Sequence, residues 1–311
     1  MLKSFYASAK KGKPAIAMIL SAAFWGLGSV LSKGILEYIP PLKLVEVQLT
    51  ASVTLLWIVT LSHPASKREL LPQLFYRRQA WKLLFLGLPG LLEPGFGYMF
   101  CMLGLARTSA SNATLIGAIE PAIVISIAWI FLGESVGFYL LWLSTLNIIG
   151  AVLTVGFDSN LNASSLIGDL LVVAGTVCAA VYAVLSRGGV QQLSALPLTA
   201  IQQSFGLILV LVICWLASGE STLFNFAGSQ AILGLAIASG ILQYAVPYWL
   251  YLVGLKTISA SIAAQFLTLI PVFGTVGAYV FLGERLTLMQ GFGMALTLTA
   301  VFLIARLRKD E

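Results

Sequence analysis

Long apolar runs separated by short polar segments form the dominant pattern along this chain. The runs are about 18 to 22 residues long, close to the ~20 residues that a helix needs to cross a ~30 Å hydrocarbon core. Strands of a membrane barrel would instead alternate apolar and polar positions over ~10 residues. The pattern therefore predicts ten membrane-spanning helices. Their ranges are 16–36, 43–61, 82–103, 112–131, 136–156, 166–186, 196–217, 230–253, 260–281 and 287–305.

The composition favours lipid as the solvent of this chain. Of its 311 residues, 59% are hydrophobic and 10% are charged, whereas soluble domains carry about 25% charged residues. The mean hydropathy is +0.95. Because lipid offers no hydrogen-bond partners, every backbone amide must be paired within the chain, as it is in a helix. We therefore expect an all-α integral membrane protein.

The basic residues lie mostly in the polar segments between the apolar runs. The net charge is +6, but a nucleic-acid-binding protein would cluster this charge on one solvated face, so no nucleic-acid partner is expected. If the N-terminus is cytoplasmic, 14 of the 18 Lys and Arg residues lie on the cytoplasmic side. The other side keeps Lys33, Lys43, Arg107 and Arg285. By the positive-inside rule, we predict a multi-pass protein of the cell (inner) membrane, surrounded by lipid, with both termini in the cytoplasm.

An internal repeat at an offset of 150 residues relates the two halves of the chain. Residues 104–134 align with residues 254–284 without a gap, with 12 identities in 31 positions. The identities include the mid-helix prolines Pro121 and Pro271 and the terminal tetrapeptide FLGE. Chance similarity between apolar helices would rarely align a proline and a terminal Gly-Glu pair as well. The repeat therefore indicates duplication of a helical domain.

The predicted domains span residues 15–156 and 166–306, with five helices each. Their first helices also align, with Ser32 matching Ser186 at an offset of 154. Because five is an odd number, the second domain must enter the membrane from the opposite face, which gives two inverted five-helix repeats. Such repeats are typical of secondary transporters that work by alternating access. A passive channel is an alternative, since duplicated bundles also form channels.

Nothing in the sequence indicates catalysis or a cofactor. The motifs HExxH, GxSxG and the P-loop are absent, and the single histidine, His63, falls in a predicted loop. Cys101, Cys178 and Cys214 lie inside apolar runs without a CxxC pair, so neither a disulfide nor a metal site is indicated. We therefore expect no enzyme activity, no cofactor and no metal. An intramembrane enzyme is kept as the weakest alternative.

The order and spacing of several motifs resemble those of a known family. They are Trp25-Gly26 in the first helix, the prolines of helices 4 and 9, and FLGE at the end of both helices. In these features the chain is similar to the drug/metabolite transporter superfamily, in particular its EamA type. The resemblance covers nearly the whole chain and implies an exporter-like carrier of small metabolites, often amino acids. It also implies a central cavity lined by helices 1, 3, 4, 6, 8 and 9.

Two glutamates, Glu93 and Glu120, lie inside apolar spans. An ionisable group at that depth costs several kcal/mol unless it is paired, hydrated or protonated. Each glutamate precedes a proline, which removes a helical hydrogen bond and disfavours helical geometry at the preceding residue. A broken helix beside a carboxylate predicts a site for a cation, a substrate ammonium group or an exchanging proton. The alternative is that both glutamates are protonated and serve only packing between helices.

The second domain carries neutral residues at the matching positions, so the predicted site is asymmetric. Gln243 aligns with Glu93, and Ile270 aligns with Glu120. A small-molecule substrate, with protons as the candidate coupling ion, would meet carboxyl, neutral hydrogen-bonding and aromatic groups. The predicted substrate-binding residues are Trp25, Glu93, Tyr98, Glu120, Tyr182, Gln243, Tyr244, Tyr248 and Gln265. Glu134 and Glu284 are expected to stabilise turns at helix ends, and no sequence feature indicates an oligomeric state.

Overall fold

The fold is built from membrane-length helices. The structure, a computed structural model, describes residues 2–36, 38–75, 77–105, 107–108, 113, 116–155, 166–218, 230–283 and 285–307. Over these ranges the chain contains no β-strand. Nine of the described helices are long and apolar enough to cross a membrane, and a tenth, Glu120–Leu132, is apolar but shorter. The predicted all-α membrane fold is confirmed.

We number the ten helices by their apolar stretches. They are α1 (Lys13–Ile35), α2 (Pro41–Ser62), α3 (Ala80–Gly104), α4 (Glu120–Leu132), α5 (Phe138–Val155), α6 (Leu166–Gly189), α7 (Ala195–Leu216), α8 (Gln230–Leu255), α9 (Ala260–Phe281) and α10 (Leu288–Arg306). Further helical turns from Leu2 precede α1. The polar segment between α2 and α3 folds into a connecting helix, Pro64–Phe75, and His63 lies between this helix and α2. The start predicted for α4, at residue 112, lies outside the described residues, as does Glu284.

Helices α3 and α8 are both interrupted in the middle, at matching places. In α3 a wide turn, Leu91–Phe96, contains Glu93 in an extended backbone conformation (φ −145°, ψ 120°). Pro94 explains the break, since proline cannot donate a hydrogen bond and disfavours helical geometry before it. In α8 the wide turn is Ile241–Ala245, at the same 150-residue offset. The predicted break beside Glu93 is confirmed, whereas the one in α8 has no proline at the position that matches Pro94.

Helices α4 and α9 end in the same way. Gly133 (φ 65°) directly follows α4, and Gly283 (φ 69°) follows the last helical turn of α9, which extends to Leu282. This left-handed conformation satisfies the last carbonyl groups of a helix, and it favours glycine because no Cβ is present to clash. The glycine of each FLGE motif therefore ends its helix.

Equivalent helices of the two halves make equivalent contacts. Helices α2 and α7, α4 and α9, and α5 and α10 each pack against their own counterparts. Helix α1 packs against α8 and α9, and its counterpart α6 packs against α3 and α4. A two-fold axis between the halves produces this exchange, and with five helices in each half the axis lies in the membrane plane. The two inverted repeats are therefore present in the fold.

Close backbone contacts join the halves at equivalent points. Gly90 of α3 and Gly240 of α8 match at the 150-residue offset, and small residues let helix backbones approach closely. A Cβ on Gly90 would lie 1.7 Å from the carbonyl oxygen of Gln202, and one on Gly240 would lie 2.5 Å from that of Gln48. Gln202 Nε2 donates a hydrogen bond to the Ser186 hydroxyl at 3.1 Å, and Gln48 Nε2 donates one to the Ser32 hydroxyl at 2.8 Å. The two serines align in the repeat, and each lies in the first helix of its half. Both halves thus combine a close glycine–backbone contact with a glutamine–serine hydrogen bond.

Candidate functional site

A central cavity of about 680 Å³ lies between the two halves. Its wall is formed by α1, α3, α4, α6, α8 and α9, with single residues from α5 and α10. These six helices are the ones that the family resemblance implied. Seven of the predicted substrate-binding residues line the cavity. They are Trp25, Glu93, Tyr98, Glu120, Tyr182, Gln243 and Tyr248.

The two other predicted residues, Tyr244 and Gln265, lie outside the cavity wall. Tyr244 is 0% exposed, and its ring packs against Tyr98 with 4.8 Å between the centroids. Gln265 is also 0% exposed, and its Oε1 accepts a hydrogen bond from Asn147 Nδ2 at 3.0 Å. These side chains therefore pack α8 against α3 and α9 against α5. The sequence placed them on the right helices but did not fix which face they occupy.

The cavity opens at the end where α1 finishes. The wall residues of α1 run from Trp25 to Leu36, and Ser29 and Lys33 among them are exposed. Toward the start of α1, Met18 is only 1% exposed. It packs where α1 meets α8, since a Cβ on Gly254 would lie 2.7 Å from its side chain. The end of the cavity nearest the start of α1 is therefore closed.

Hydrogen bonds between the halves reinforce the closed end. Glu134, after α4, accepts hydrogen bonds from the backbone N–H groups of Ala260 (2.8 Å) and Ser261 (3.0 Å). It also accepts one from the Ser261 hydroxyl at 2.6 Å. These donors belong to the first turn of α9, where unpaired N–H groups attract negative charge. Glu134 thus has the structural role in a helix turn that we expected, and the turn that it caps belongs to the other half.

The two carboxyl groups in the cavity differ in their surroundings. Glu93 is 8% exposed and accepts a hydrogen bond from the Tyr248 hydroxyl at 2.7 Å. Glu120 is half-buried in the wall. It lines the same cavity as Glu93, Tyr251 and Cys101. Glu120 is thus the more exposed residue of the two.

Aromatic rings form one side of the cavity. Trp25 meets Tyr248 edge to face, with 4.9 Å between the centroids, and its centroid lies 5.8 Å from that of Tyr251. The Tyr182 ring lies 5.8 Å from Tyr248. Aromatic faces carry partial negative charge and attract cations. Sequence reasoning missed Tyr251, although it follows Tyr248 by three residues and so shares its face of α8.

A buried polar network holds Gln243 in place. The Ser32 hydroxyl donates a hydrogen bond to Gln243 Oε1 at 2.5 Å, and Gln48 Nε2 donates to Ser32 and Ser239, both at 2.8 Å. Ser32 and Gln243 both line the cavity. Sequence reasoning missed Ser32 and Gln48 as site residues. The available signal was the match of Gln48 with Gln202 at the 154-residue offset of the first helices.

The aligned prolines flank a recess beside the cavity. This recess, of about 180 Å³, is lined by Pro121, Pro271, Glu120 and Thr268, among others. Glu120 and Pro271 also line the main cavity. The matching prolines of α4 and α9 thus line one space, and of the two only Pro271 is also in the wall of the main cavity.

Apolar helices arranged as two inverted halves around a partly polar cavity define the class of multi-pass membrane transporters. Residues 12–156 and 166–306 each match the EamA-like transporter family. The chain belongs to this family, as its motifs suggested.

Relatives of the chain are also described as transporters. The chain is 24% identical over 295 residues to an uncharacterized transporter of Archaeoglobus fulgidus, covering 94% of this chain and 99% of the relative. It is 24% identical over 304 residues to the uncharacterized transporter YvbV of Bacillus subtilis, and the alignment covers 94% of this chain and 92% of the relative. A solved crystal structure shares the fold, with a TM-score of 0.75 at 16% identity, over 94% of this chain and 98% of the other.

Proposed function

We propose that this protein is a secondary transporter that exports small metabolites, such as amino acids, by alternating access. The observation that carries this proposal is a cavity open at one end and closed at the other, between two halves with matching contacts. Inverted halves can close either end with equivalent packing, so the same fold can face each side of the membrane in turn. A passive channel needs a continuous path, and the packed closed end favours a transporter.

Contacts at the closed end indicate how the open end would close. Arg187, at the end of α6, donates hydrogen bonds to the carbonyl oxygens of Leu255 (2.7 Å) and Lys256 (2.9 Å), at the end of α8. Lys33 matches Arg187 in the repeat, and the end of α3 matches the end of α8. In the alternate state, Lys33 binds the end of α3, while the contact between Glu134 and α9 separates.

The distribution of basic residues supports both termini in the cytoplasm. With this orientation, the open end of the cavity, at the end of α1, faces away from the cytoplasm. An exporter that has just released its substrate has this arrangement. We therefore assign the structure to the outward-open state.

Glu120, together with Glu93, is the proposed proton carrier. Burial disfavours the charged form of a carboxyl group, and two interacting carboxyl groups disfavour it further. A proton that enters from the open end therefore displaces a cationic group from Glu120. At the cytoplasmic end the reverse exchange loads the next substrate, so proton entry drives substrate exit.

Transport by purified protein in liposomes tests this proposal. With an imposed pH gradient, the liposomes should accumulate one or more small metabolites from a cell extract, detected by mass spectrometry. A protonophore should abolish the accumulation, and protein-free liposomes are the control. Equilibration of solutes without accumulation, unchanged by the protonophore, would identify a passive channel instead.

A further inference from the structure

The connecting helix between α2 and α3, Pro64–Phe75, carries basic residues on its exposed side. It joins the end of α2 to the start of α3, both at the closed end of the cavity, so it lies at that surface of the membrane. Leu70 is 0% exposed and belongs to the main hydrophobic core, which holds the helix against the protein. Lys67 and Arg68 are exposed. The helix therefore presents two positive charges at the level of the lipid headgroups.

The one acidic residue of the connecting helix does not neutralise these charges. Glu69 accepts hydrogen bonds from the backbone N–H group of Ser194, at 3.0 Å, and from the Ser194 hydroxyl. Ser194 directly precedes α7, so the Glu69 carboxylate binds the start of that helix, where unpaired N–H groups attract negative charge. Within the described part of the chain, no ion pair or hydrogen bond involves the side chain of Lys67 or Arg68. Both charges are therefore available to an anion from outside the protein.

The start of α3 adds a third cation to this surface. Lys82 is exposed, and no described residue forms an ion pair or a hydrogen bond with its side chain. The connecting helix packs against residues Arg77–Gly87, which include Lys82. Long lysine and arginine side chains can extend along apolar surface and keep their charged ends in the headgroup region. We call Lys67, Arg68 and Lys82 the basic patch.

An exposed apolar surface continues from the basic patch into the membrane. Four large apolar side chains near the start of α3 are exposed at spacings of three and four residues, so they share one side of the helix. They are Trp81, Leu84, Phe85 and Leu88. Tryptophan is typical of the boundary between headgroups and hydrocarbon, and Leu88 lies about 10 Å deeper along the helix. We call these four residues the apolar stripe.

The two surfaces together match the chemistry of an anionic phospholipid. A phospholipid carries its phosphate at the headgroup level and its acyl chains directly below. Arginine binds phosphate through paired hydrogen bonds, and lysine binds it as a point charge. A phosphatidylcholine headgroup also carries an ammonium group, which the three cations would repel, whereas phosphatidylglycerol has none. The basic patch therefore favours a lipid with net negative charge.

We propose that the basic patch and the apolar stripe form a binding site for an anionic phospholipid of the surrounding membrane. The basic patch binds the phosphate, and an acyl chain lies along the apolar stripe. With the termini in the cytoplasm, the site faces the inner leaflet, whose anionic lipids attract basic segments. None of its residues lines the central cavity, so the site does not depend on the proposed transport function.

Native mass spectrometry of the purified protein in detergent tests the site by counting bound lipids. The protein is titrated with equal amounts of dioleoylphosphatidylglycerol and dioleoylphosphatidylcholine, which share their acyl chains and differ in the headgroup. We expect phosphatidylglycerol to bind at least about tenfold more tightly, because three basic residues attract its net charge. Equal binding of the two lipids to the unmodified protein would refute the site without any variant.

A triple variant removes the charges of the basic patch. Its substitutions are Lys67→Gln, Arg68→Gln and Lys82→Gln. Each basic residue near a membrane surface strengthens the binding of anionic lipid roughly fivefold, so the affinity for phosphatidylglycerol should fall about a hundredfold. The affinity for phosphatidylcholine should change little.

A matched control variant makes the same change in net charge elsewhere at the closed end. Its substitutions are Lys13→Gln, Lys256→Gln and Arg306→Gln. These residues are also exposed, and they lie at the start of α1 and at the ends of α8 and α10. The control should keep the affinity of the unmodified protein for phosphatidylglycerol.

Three further results would overturn the site. Unchanged binding of phosphatidylglycerol to the triple variant would show that the basic patch does not hold the headgroup. Equal losses in the triple variant and its control would show attraction by net charge alone. Displacement of phosphatidylglycerol by an equal concentration of glycerol 3-phosphate, which carries the phosphate without acyl chains, would identify a site for soluble phosphate esters instead of lipid.

Discussion

At the level of single residues, ionisable groups inside apolar runs are easy to recognise in the sequence, whereas neutral site residues are not. Glu93 and Glu120 stand out because charge is rare at membrane depth, and both line the cavity. Tyr251 lines it too, but tyrosine in an apolar run is not unusual. Tyr244 lies seven residues earlier and would share its face in a regular helix. The wide turn Ile241–Ala245 adds a residue to one turn and rotates Tyr244 out of the wall.

Substitution of Glu120 by glutamine tests the proposed proton carrier. Glu120→Gln keeps the shape and hydrogen-bonding capacity of the side chain but removes its titration. If Glu120 exchanges a proton for substrate, accumulation driven by the pH gradient should fall to the level of protein-free liposomes. Glu69→Gln, in the connecting helix outside the cavity wall, should keep the unmodified rate and pH dependence. Unchanged transport rates and pH dependence in Glu120→Gln would reduce Glu120 to a packing residue.

At the level of helices, the length of the apolar runs defines the spans but not their internal geometry. Proline explains the break in α3, and glycine explains where α4 and α9 end. In α8 the proline, Pro247, follows the wide turn, and it cannot donate a hydrogen bond to the carbonyl of Gln243, four residues earlier and inside that turn. The close contact between α2 and α8 depends on tertiary packing. It brings Gly240 against the backbone of Gln48.

We predict opposite effects on stability when two glycines of α8 are replaced by alanine. A Cβ at Gly240 would lie 2.5 Å from the Gln48 carbonyl oxygen, whereas a Cβ at Gly234 meets nothing within 4 Å. Overpacking costs roughly 1–3 kcal/mol, and alanine gains at most about 1 kcal/mol over glycine in a helix. Gly240→Ala should therefore lower the thermal unfolding midpoint in detergent, and Gly234→Ala should leave it unchanged or raise it slightly. Equal midpoints would mean that α2 and α8 separate at little cost.

At the level of the whole molecule, the sequence predicts the inverted repeat but not the state of the cavity. Both ends of the cavity are built from matching segments, so the pattern of residues permits either end to close. In the proposed transport cycle, the end that closes depends on the free-energy difference between two packed states. Residues that differ between the halves, such as Lys33 and Arg187, are the positions where that difference can arise. Only the three-dimensional contacts reveal that the end near Glu134 is the closed one.

Native Cys101 offers a direct test of the open end, because it lines the cavity. The chain has three cysteines, so Cys178→Ser with Cys214→Ser leaves it as the sole thiol. With the open end away from the cytoplasm, a membrane-impermeant maleimide should label Cys101 faster in right-side-out vesicles than in inverted ones. Faster labelling in inverted vesicles would reverse the proposed orientation, and equal labelling from both sides would indicate a channel.

Removal of the Glu134 contacts should make Cys101 more accessible from the cytoplasmic side of the membrane. Glu134→Ala deletes three hydrogen bonds between the halves at the closed end. At about 1 kcal/mol for each bond, their loss changes the ratio of the two states by roughly two orders of magnitude. Labelling of Cys101 should therefore rise in inverted vesicles and fall in right-side-out vesicles. Thr299→Ala, at an exposed position of α10 whose hydroxyl donates a hydrogen bond to the Ala295 carbonyl of the same helix (2.7 Å), should leave both rates unchanged. If Glu134→Ala alters neither rate, Glu134 caps α9 without controlling access to the cavity.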